Sequence, residues 1–261
     1  MDILLLIIIV ICLFLSIKIF KENKNEQFSN KKIAFNPNLS KLDISNIKNA
    51  QKKMSNMLKI FDKICQKHKI EYFLVGGSLI GALLYEGWIP WDGDIDLVIN
   101  GDHYKQFKEI IQSELPDNIW FQNSETDSNY PKNNVIISKL RDLNSCYIEY
   151  TNNAPTGKQI HNGLQIDILL YYNQSNNLFK FSDPDEPLMD KQDVYPLKRV
   201  PFENFNVTIM NNSKKYLDNK YGANWTEILP VDKRLPHEGL MNPNKTCDHH
   251  YKLYPQLYHN K

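Results

Sequence analysis

The sequence predicts a mixed α/β domain in which a small sheet, with helices packed on it, carries a cluster of acidic side chains. Three observations lead there. Residues 72–100, YFLVGGSLIGALLYEGWIPWDGDIDLVIN, read as strand, glycine turn, helix and second strand. Residues 40–68 place Ile47, Ala50, Met54, Met57, Leu58, Phe61, Ile64 and Cys65 at helical spacing, with the Met positions as core. In residues 164–170, Leu164, Ile166, Ile168 and Leu170 fill one face of a strand and leave Gln165, Asp167 and Leu169 on the other.

In the first of these stretches, Tyr72 to Val75 has the length and composition of a buried strand, and Gly76-Gly77-Ser78 breaks it before a helix over Leu79 to Tyr85. A Gly-Gly-Ser turn at a helix start aims backbone N–H groups and a hydroxyl at one point, which suits a phosphate. The second strand alternates Asp92, Asp94 and Asp96 with Gly93, Ile95 and Leu97, so the three carboxylates are expected on one face. Like charges so close repel unless a cation sits among them, and a divalent metal is the natural candidate. A phosphate cradle beside a carboxylate cluster suits metal-assisted phosphoryl or nucleotidyl transfer. A calcium loop of the Asp-x-Asp-x-Asp-Gly type does not fit, because Leu97 occupies the Gly position and His103 that of the closing Glu.

From the amino terminus, residues 1–20 are almost wholly apolar and are expected to form a single-pass transmembrane anchor, with Lys18 snorkelling. Residues 21–39 are expected to form a polar stalk, and residues 40–261 the catalytic domain. Orientation is left open by two opposed signals. Lys18, Lys21 and Lys24 after the span favour a cytoplasmic domain. Six Asn-x-Ser/Thr tripeptides, at Asn38, Asn173, Asn206, Asn211, Asn224 and Asn244, favour a lumenal one. The net charge of +1 and the mixing of signs give no electrostatic case for a nucleic-acid partner.

Beyond the core motif, residues 103–115 are expected to be an amphipathic helix stopped by Pro116, and residues 135–142 and 145–150 strands. Residues 173–193 are expected to be a polar loop. Cys247-Asp248-His249-His250 reads as an unstructured polar tail, since no second ligand cluster lies near it in sequence, and the cysteines suggest no disulfide framework.

The stretch Val75-Gly76-Gly77-Ser78, followed by Asp94-Ile95-Asp96-Leu97, resembles the DNA polymerase beta-type nucleotidyltransferase superfamily. Gly77 to Gly81 and Gly87 to Asp96 resemble more narrowly the LicD family, which includes the eukaryotic fukutin-related proteins. Lys139-Leu140-Arg141-Asp142 with Ser145, His161 to Asp167, Tyr195 to Phe202 and Asn212 to Gly222 are similar to further family segments. The resemblance implies a nucleotidyltransferase-fold core with Asp94, Asp96 and Asp167 as catalytic carboxylates. It implies Mg²⁺ or Mn²⁺ held by these three and Asp92. Gly77, Ser78, Lys139 and Arg141 would contact substrate phosphate. His161 would do so too, or would orient its loop. Lys198 and Arg199 would line the acceptor side or remain solvated charges.

The activity so implied is transfer of a phospho-alcohol, such as phosphocholine or ribitol phosphate, from a CDP-activated donor to a glycan hydroxyl. Leu84, Tyr85 and Glu86 stand where the family usually carries Arg-His-Lys, so a positive patch near the donor is missing. The alternatives are an NMP transferase acting on a small molecule or protein, and an inactive membrane-tethered glycan- or nucleotide-binding protein.

Overall fold

The computed structural model describes residues 44–132, 134–148, 150–151, 154–155, 160–174, 177–227 and 240–258. The expected anchor and stalk, residues 1–39, lie outside them. No helix among the described residues is long and apolar enough to cross a membrane. All described elements belong to the unit Lys41–Lys261.

The first helix, α1 (Ile44–His68), follows the apolar spacing. Ile47, Ala50, Met54, Met57, Leu58, Phe61, Ile64 and Cys65 are all buried, so both Met side chains are core. Removal of each of the Ile, Leu, Met and Phe side chains from water contributes about 1.5–3 kcal/mol, which holds the helix on the sheet. Strand β1 (Tyr72–Leu74) leads through Val75 into α2 (Gly76–Tyr85), and β2 (Asp96–Asn100) returns antiparallel to β1 with Leu74 opposite Leu97. After a single 3-10 turn, α3 (Tyr104–Glu114) buries Phe107 and Ile111.

The main sheet is mixed. Strands β3 (Ile119–Gln122) and β4 (Ser138–Asp142) are followed by the short β5 (Cys146–Ile148), β6 (Tyr150–Thr151) and β7 (Ala154–Pro155). The nine-residue β8 (Gln165–Asn173) organises the sheet. One of its edges pairs in parallel with β2, and the other pairs antiparallel first with β4 and then with β9 (Leu178–Phe181). The order is β1-β2-β8-β4-β3, and β10 (Met189–Asp190) extends the branch beyond β9. A strand covered on both faces is buried along its length, and β8 is buried from Gln165 through Tyr171, the polar Gln165 and Asp167 included.

The rest of the chain closes over this sheet. The short α4 (Lys191–Val194) precedes a hairpin, β11 (Lys198–Phe202) and β12 (Phe205–Ile209), and then α5 (Ser213–Tyr221). The segment 173–193, expected to be a loop, thus contains β9, β10 and α4. Apolar Leu178, Phe179 and Phe181 let it pair with β8, although its composition is polar.

The expectation of an unstructured tail is also corrected. Residues 240–258 form β13 (Leu240–Asn242), paired with β5, then α6 (Asp248–Leu253) and a 3-10 turn. A disulfide joins Cys146 of β5 to Cys247, 101 residues away in sequence. Tyr254 and Tyr258 from this segment pack with Trp120 and Leu143 as a second small core. Long-range pairing of this kind leaves no trace in local periodicity.

Candidate active site

The site lies where β1 ends and β2 begins. Because the strands are antiparallel, the turn leaving β1 stands beside the residues entering β2, and Val75 N–H donates to the Asp96 carbonyl at 3.1 Å. Gly76 opens α2 with φ +57°, a left-handed conformation that costs a side chain but not glycine. A Cβ there would stand 3.2 Å from Asp96 Oδ2. At Gly77 a Cβ would stand 2.7 Å from Asp92 Oδ2, closer than any real contact allows. The two glycines therefore let the backbone come against two carboxylates. Ser78, expected at the phosphate, is buried, and its Oγ accepts from the Asp96 N–H at 2.9 Å. It ties the helix start to the strand.

The three aspartates do not share one strand. Strand β2 begins only at Asp96, and residues 91–95 are irregular. The expected alternation is thus not what positions Asp92 and Asp94. Helix α1 holds that segment instead, with Gln51 Nε2 donating to the Asp92 carbonyl at 2.9 Å and to the Ile89 carbonyl at 3.2 Å. Ser55 Oγ accepts from Trp88 Nε1 at 2.8 Å.

Asp167 enters from β8. It is the register partner of Asp96 on one side and of Lys139 on the other, and Gln122 follows Lys139 in the same row. Residues opposite one another in a sheet point to the same face. Carboxylate oxygens of Asp94, Asp96 and Asp167 all lie within 4.8 Å of one another. Burial first, then the charges of Asp167 and Asp92, push the Asp96 carboxyl up to about 8, against the opposing pull of Lys139 and Lys220. Three acidic groups in partly dry surroundings cannot all ionise without a cation.

Lys139 and Arg141 have a different setting from the one expected. Both are buried in β4 with their donors turned into the protein. Lys139 Nζ reaches Asp167 Oδ2 and Gln165 Oε1, each at 2.9 Å. Arg141 donates to Gln122 Oε1 at 2.7 Å, to the Gly163 carbonyl at 3.0 Å and to Gln165 Oε1. Their charge fixes Asp167 and Gln165. The other Asp167 oxygen, Oδ1, is buried and has no hydrogen-bond partner among the described residues. A carboxylate with one unpartnered oxygen, converging with two more carboxylates and with hard oxygen donors only, fits Mg²⁺ or Mn²⁺.

His161 is not brought to the carboxylates by any of its described contacts. Its ring is fully buried, stacks on His250 and lies against Trp120 and Tyr254. Nδ1 accepts from the Gly163 N–H at 3.2 Å, and Nε2 is 2.7 Å from Tyr258 Oη. With both nitrogens engaged, the ring orients the loop that enters β8. Ser145 supports the same loop, accepting from the Leu164 N–H at 2.9 Å. Arg199 forks onto the buried Asp62, while Lys198 reaches the Asn211 carbonyl at 2.7 Å. A second group of ligand-type atoms, from Cys247, His249 and His250, also converges, but the Cys247 sulfur is bonded to Cys146.

Helix α5 contributes residues that composition did not single out. Tyr216 Oη accepts from the Gly76 N–H at 3.2 Å and donates to Glu186 at 2.6 Å, and Glu186 also pairs with Lys220. Tyr221 Oη would be 3.6 Å from a Cβ on Gly76. Burial, followed by the charges of Glu186, Asp96, Asp92 and Asp94, pushes its phenol well up. The only sequence signal for this helix was its likeness to a family segment.

A glycine turn set against carboxylates from two parallel neighbouring strands defines the nucleotidyltransferase class of phosphorus-group transferases. Residues 69–212 match the LicD/FKTN/FKRP nucleotidyltransferase domain, and the chain belongs to that family. It is 25% identical over 203 residues to the lipopolysaccharide cholinephosphotransferase LicD of Haemophilus influenzae, covering 74% of this chain and 68% of that protein. It is also 26% identical over 160 residues to the mouse ribitol 5-phosphate transferase FKRP, covering 59% of this chain. For the human FKRP the figures are 25%, 180 residues and 66%. The chain spans under a third of either FKRP, 28% and 31% of their lengths.

Proposed function

We propose that this chain transfers a phospho-alcohol, of the phosphocholine or ribitol phosphate kind, from a CDP-activated donor to a glycan hydroxyl, with Mg²⁺ or Mn²⁺ as cofactor. The observation that carries the reading is the convergence of Asp94, Asp96 and Asp167 oxygens within 4.8 Å, with Asp167 Oδ1 left without a hydrogen-bond partner among the described residues. The names of the relatives supply the class of group transferred: one is a cholinephosphotransferase, the others ribitol 5-phosphate transferases.

Asp94, Asp96 and Asp167 would hold the cation, with Asp92 beside them. A divalent ion held there would neutralise the donor diphosphate and lower the pKa of the acceptor hydroxyl. Lys139 holds Asp167 Oδ2, which fixes the carboxylate plane and leaves Oδ1 for coordination. Gly76 and Gly77 admit the donor backbone-close to the carboxylates, where a side chain would collide. The acceptor oxygen forms the new bond to the phosphorus bearing the alcohol, its proton passing to solvent, and the bond from that phosphorus to the CMP oxygen breaks, so CMP leaves. In-line displacement of this kind depends mainly on positioning and charge neutralisation.

The leaving group tests this reading directly. The protein is incubated with Mg²⁺ and CDP-choline, CDP-ribitol, CDP-glycerol or each NTP, and products are followed by mass spectrometry. CMP release from a CDP-alcohol, abolished in Asp96→Asn, is the expected result. Pyrophosphate release dependent on Asp96 would establish the NMP-transferase alternative instead. With Leu84, Tyr85 and Glu86 in place of cations, the donor is supplied at about 1 mM, the upper end of usual KM values. Neither product under these conditions would favour a binding protein.

A further inference from the structure

Two features remote from the carboxylates point to one compartment. The first is the disulfide Cys146–Cys247. The second is the set of Asn-x-Ser/Thr tripeptides: six occur, whereas 30 Asn and 20 Ser or Thr in 261 residues give roughly two by chance. We propose that this domain folds in an oxidising lumen and carries N-linked glycans on Asn173, Asn206, Asn224 and Asn244.

The disulfide closes a loop between β5 and the start of α6 and is itself buried, with Cys146 at 6% and Cys247 at 4% exposure. Thiol pools keep cytosolic cysteines reduced, so a bridge that anchors a whole terminal segment belongs to an oxidising environment. The remaining described cysteine, Cys65, is buried in α1, and burial, followed by the charge of Asp62, pushes its thiol well up. A buried, protonated thiol cannot attack the disulfide and exchange with it. The described cysteines are therefore set up for oxidation without exchange among them.

The tripeptides give independent support. A glycan is bulky and hydrophilic, so its asparagine must still face water once the chain has folded. Asn173 at the end of β8, Asn206 in β12, Asn224 after α5 and Asn244 after β13 are all exposed. None of the four is among the residues that form the carboxylate site. Asn211 differs: it is half-buried, and its Nδ2 donates to the Gln192 carbonyl at 3.0 Å. The structure thus separates four usable acceptors from one that folding covers.

The test uses the full chain with its own amino-terminal segment, expressed in eukaryotic cells. Peptide N-glycosidase should collapse a slower-migrating ladder to a single band. Each of Asn173→Gln, Asn206→Gln, Asn224→Gln and Asn244→Gln should remove one step, and Asn211→Gln none. Mass spectrometry after the enzyme should find Asn converted to Asp at those four positions. Alkylation in denaturant without reductant should spare Cys146 and Cys247. An unshifted protein overturns the proposal, whether or not the disulfide is present. So does a glycosylated protein in which both cysteines alkylate freely. None of these readouts depends on catalysis, so failure here is distinct from failure of the proposed activity.

Discussion

Asp96 and Asp167 are register partners across the parallel pair β2 and β8, with Lys139 opposite Asp167 on the far side. One row across three strands therefore reads acid, acid, base. Lys139 satisfies Oδ2 of Asp167, Oδ1 has no hydrogen-bond partner among the described residues, and the carboxylate converges with those of Asp94 and Asp96. The arrangement both positions Asp167 and keeps it incompletely paired.

Replacing Asp167 separates the two roles. Asp167→Asn removes the countercharge of a buried Lys139, both side chains being under 10% exposed, and should cost about 3–5 kcal/mol. Activity should be lost as well. In Asp167→Asn/Lys139→Met the unpaired charge is gone, so urea denaturation should recover most of the stability while activity stays absent. Recovery of both would show that Asp167 is only structural.

The glycines should respond differently. Gly76→Ala forces a side chain into the left-handed region and should cost about 1–2 kcal/mol in a thermal or urea melt. Gly77→Ala meets only the movable Asp92 carboxylate, so its stability cost should be smaller. Its activity and its stabilisation by Mn²⁺ should nevertheless fall, because Asp92 is driven from its place. Wild-type activity in Gly77→Ala would remove Asp92 from the site.

Removing the disulfide should loosen the carboxy-terminal segment. For a loop of 101 residues, Cys146→Ser/Cys247→Ser should lose about 2–5 kcal/mol. Wild type in reductant should show the same loss. Near-ultraviolet circular dichroism should report release of Trp120, Tyr254 and Tyr258 from their shared cluster. An unchanged urea midpoint would mean that the packing alone holds the segment.

Acid should act on the stacked histidines. Burial first, then the neighbouring His250, pushes His161 well below 6.5. His250 is lowered to about 3, by burial first and then by His249. Both fold as neutral rings, so their contribution is present above about pH 6.5 and is lost as pH falls towards 3. The slope is at most about 1.4 kcal/mol per pH unit for each ring. Asp96 works the other way: its raised pKa makes a contribution that is full in acid and lost as pH rises through about 8. Urea midpoints measured between pH 7 and pH 5 in Asp96→Asn should therefore fall, and His250→Gln should flatten the fall.

Local chemistry determined the central part of this protein. A glycine turn between apolar runs, helical spacing from Ile47 to Cys65 and an aspartate between isoleucines are short-range patterns, each set by backbone geometry within a few residues. They were enough to point to Asp94 and Asp96 and to the helix that supports them, whereas Asp167 joined the set only through the family resemblance. Register was out of reach, because pairing Asp96 with Asp167 depends on contacts between strands some 70 residues apart. For the same reason Lys139 and Arg141 read as phosphate ligands in the sequence, whereas the fold surrounds them with acceptors, and His161, left open between phosphate and loop, proves to orient its loop. The tail looked polar and unstructured because its partners, β5, Trp120 and His161, lie about a hundred residues earlier. Only a tertiary structure brings such distant groups together, since the free energy of burying and pairing them exists only once the chain has closed the loop between them.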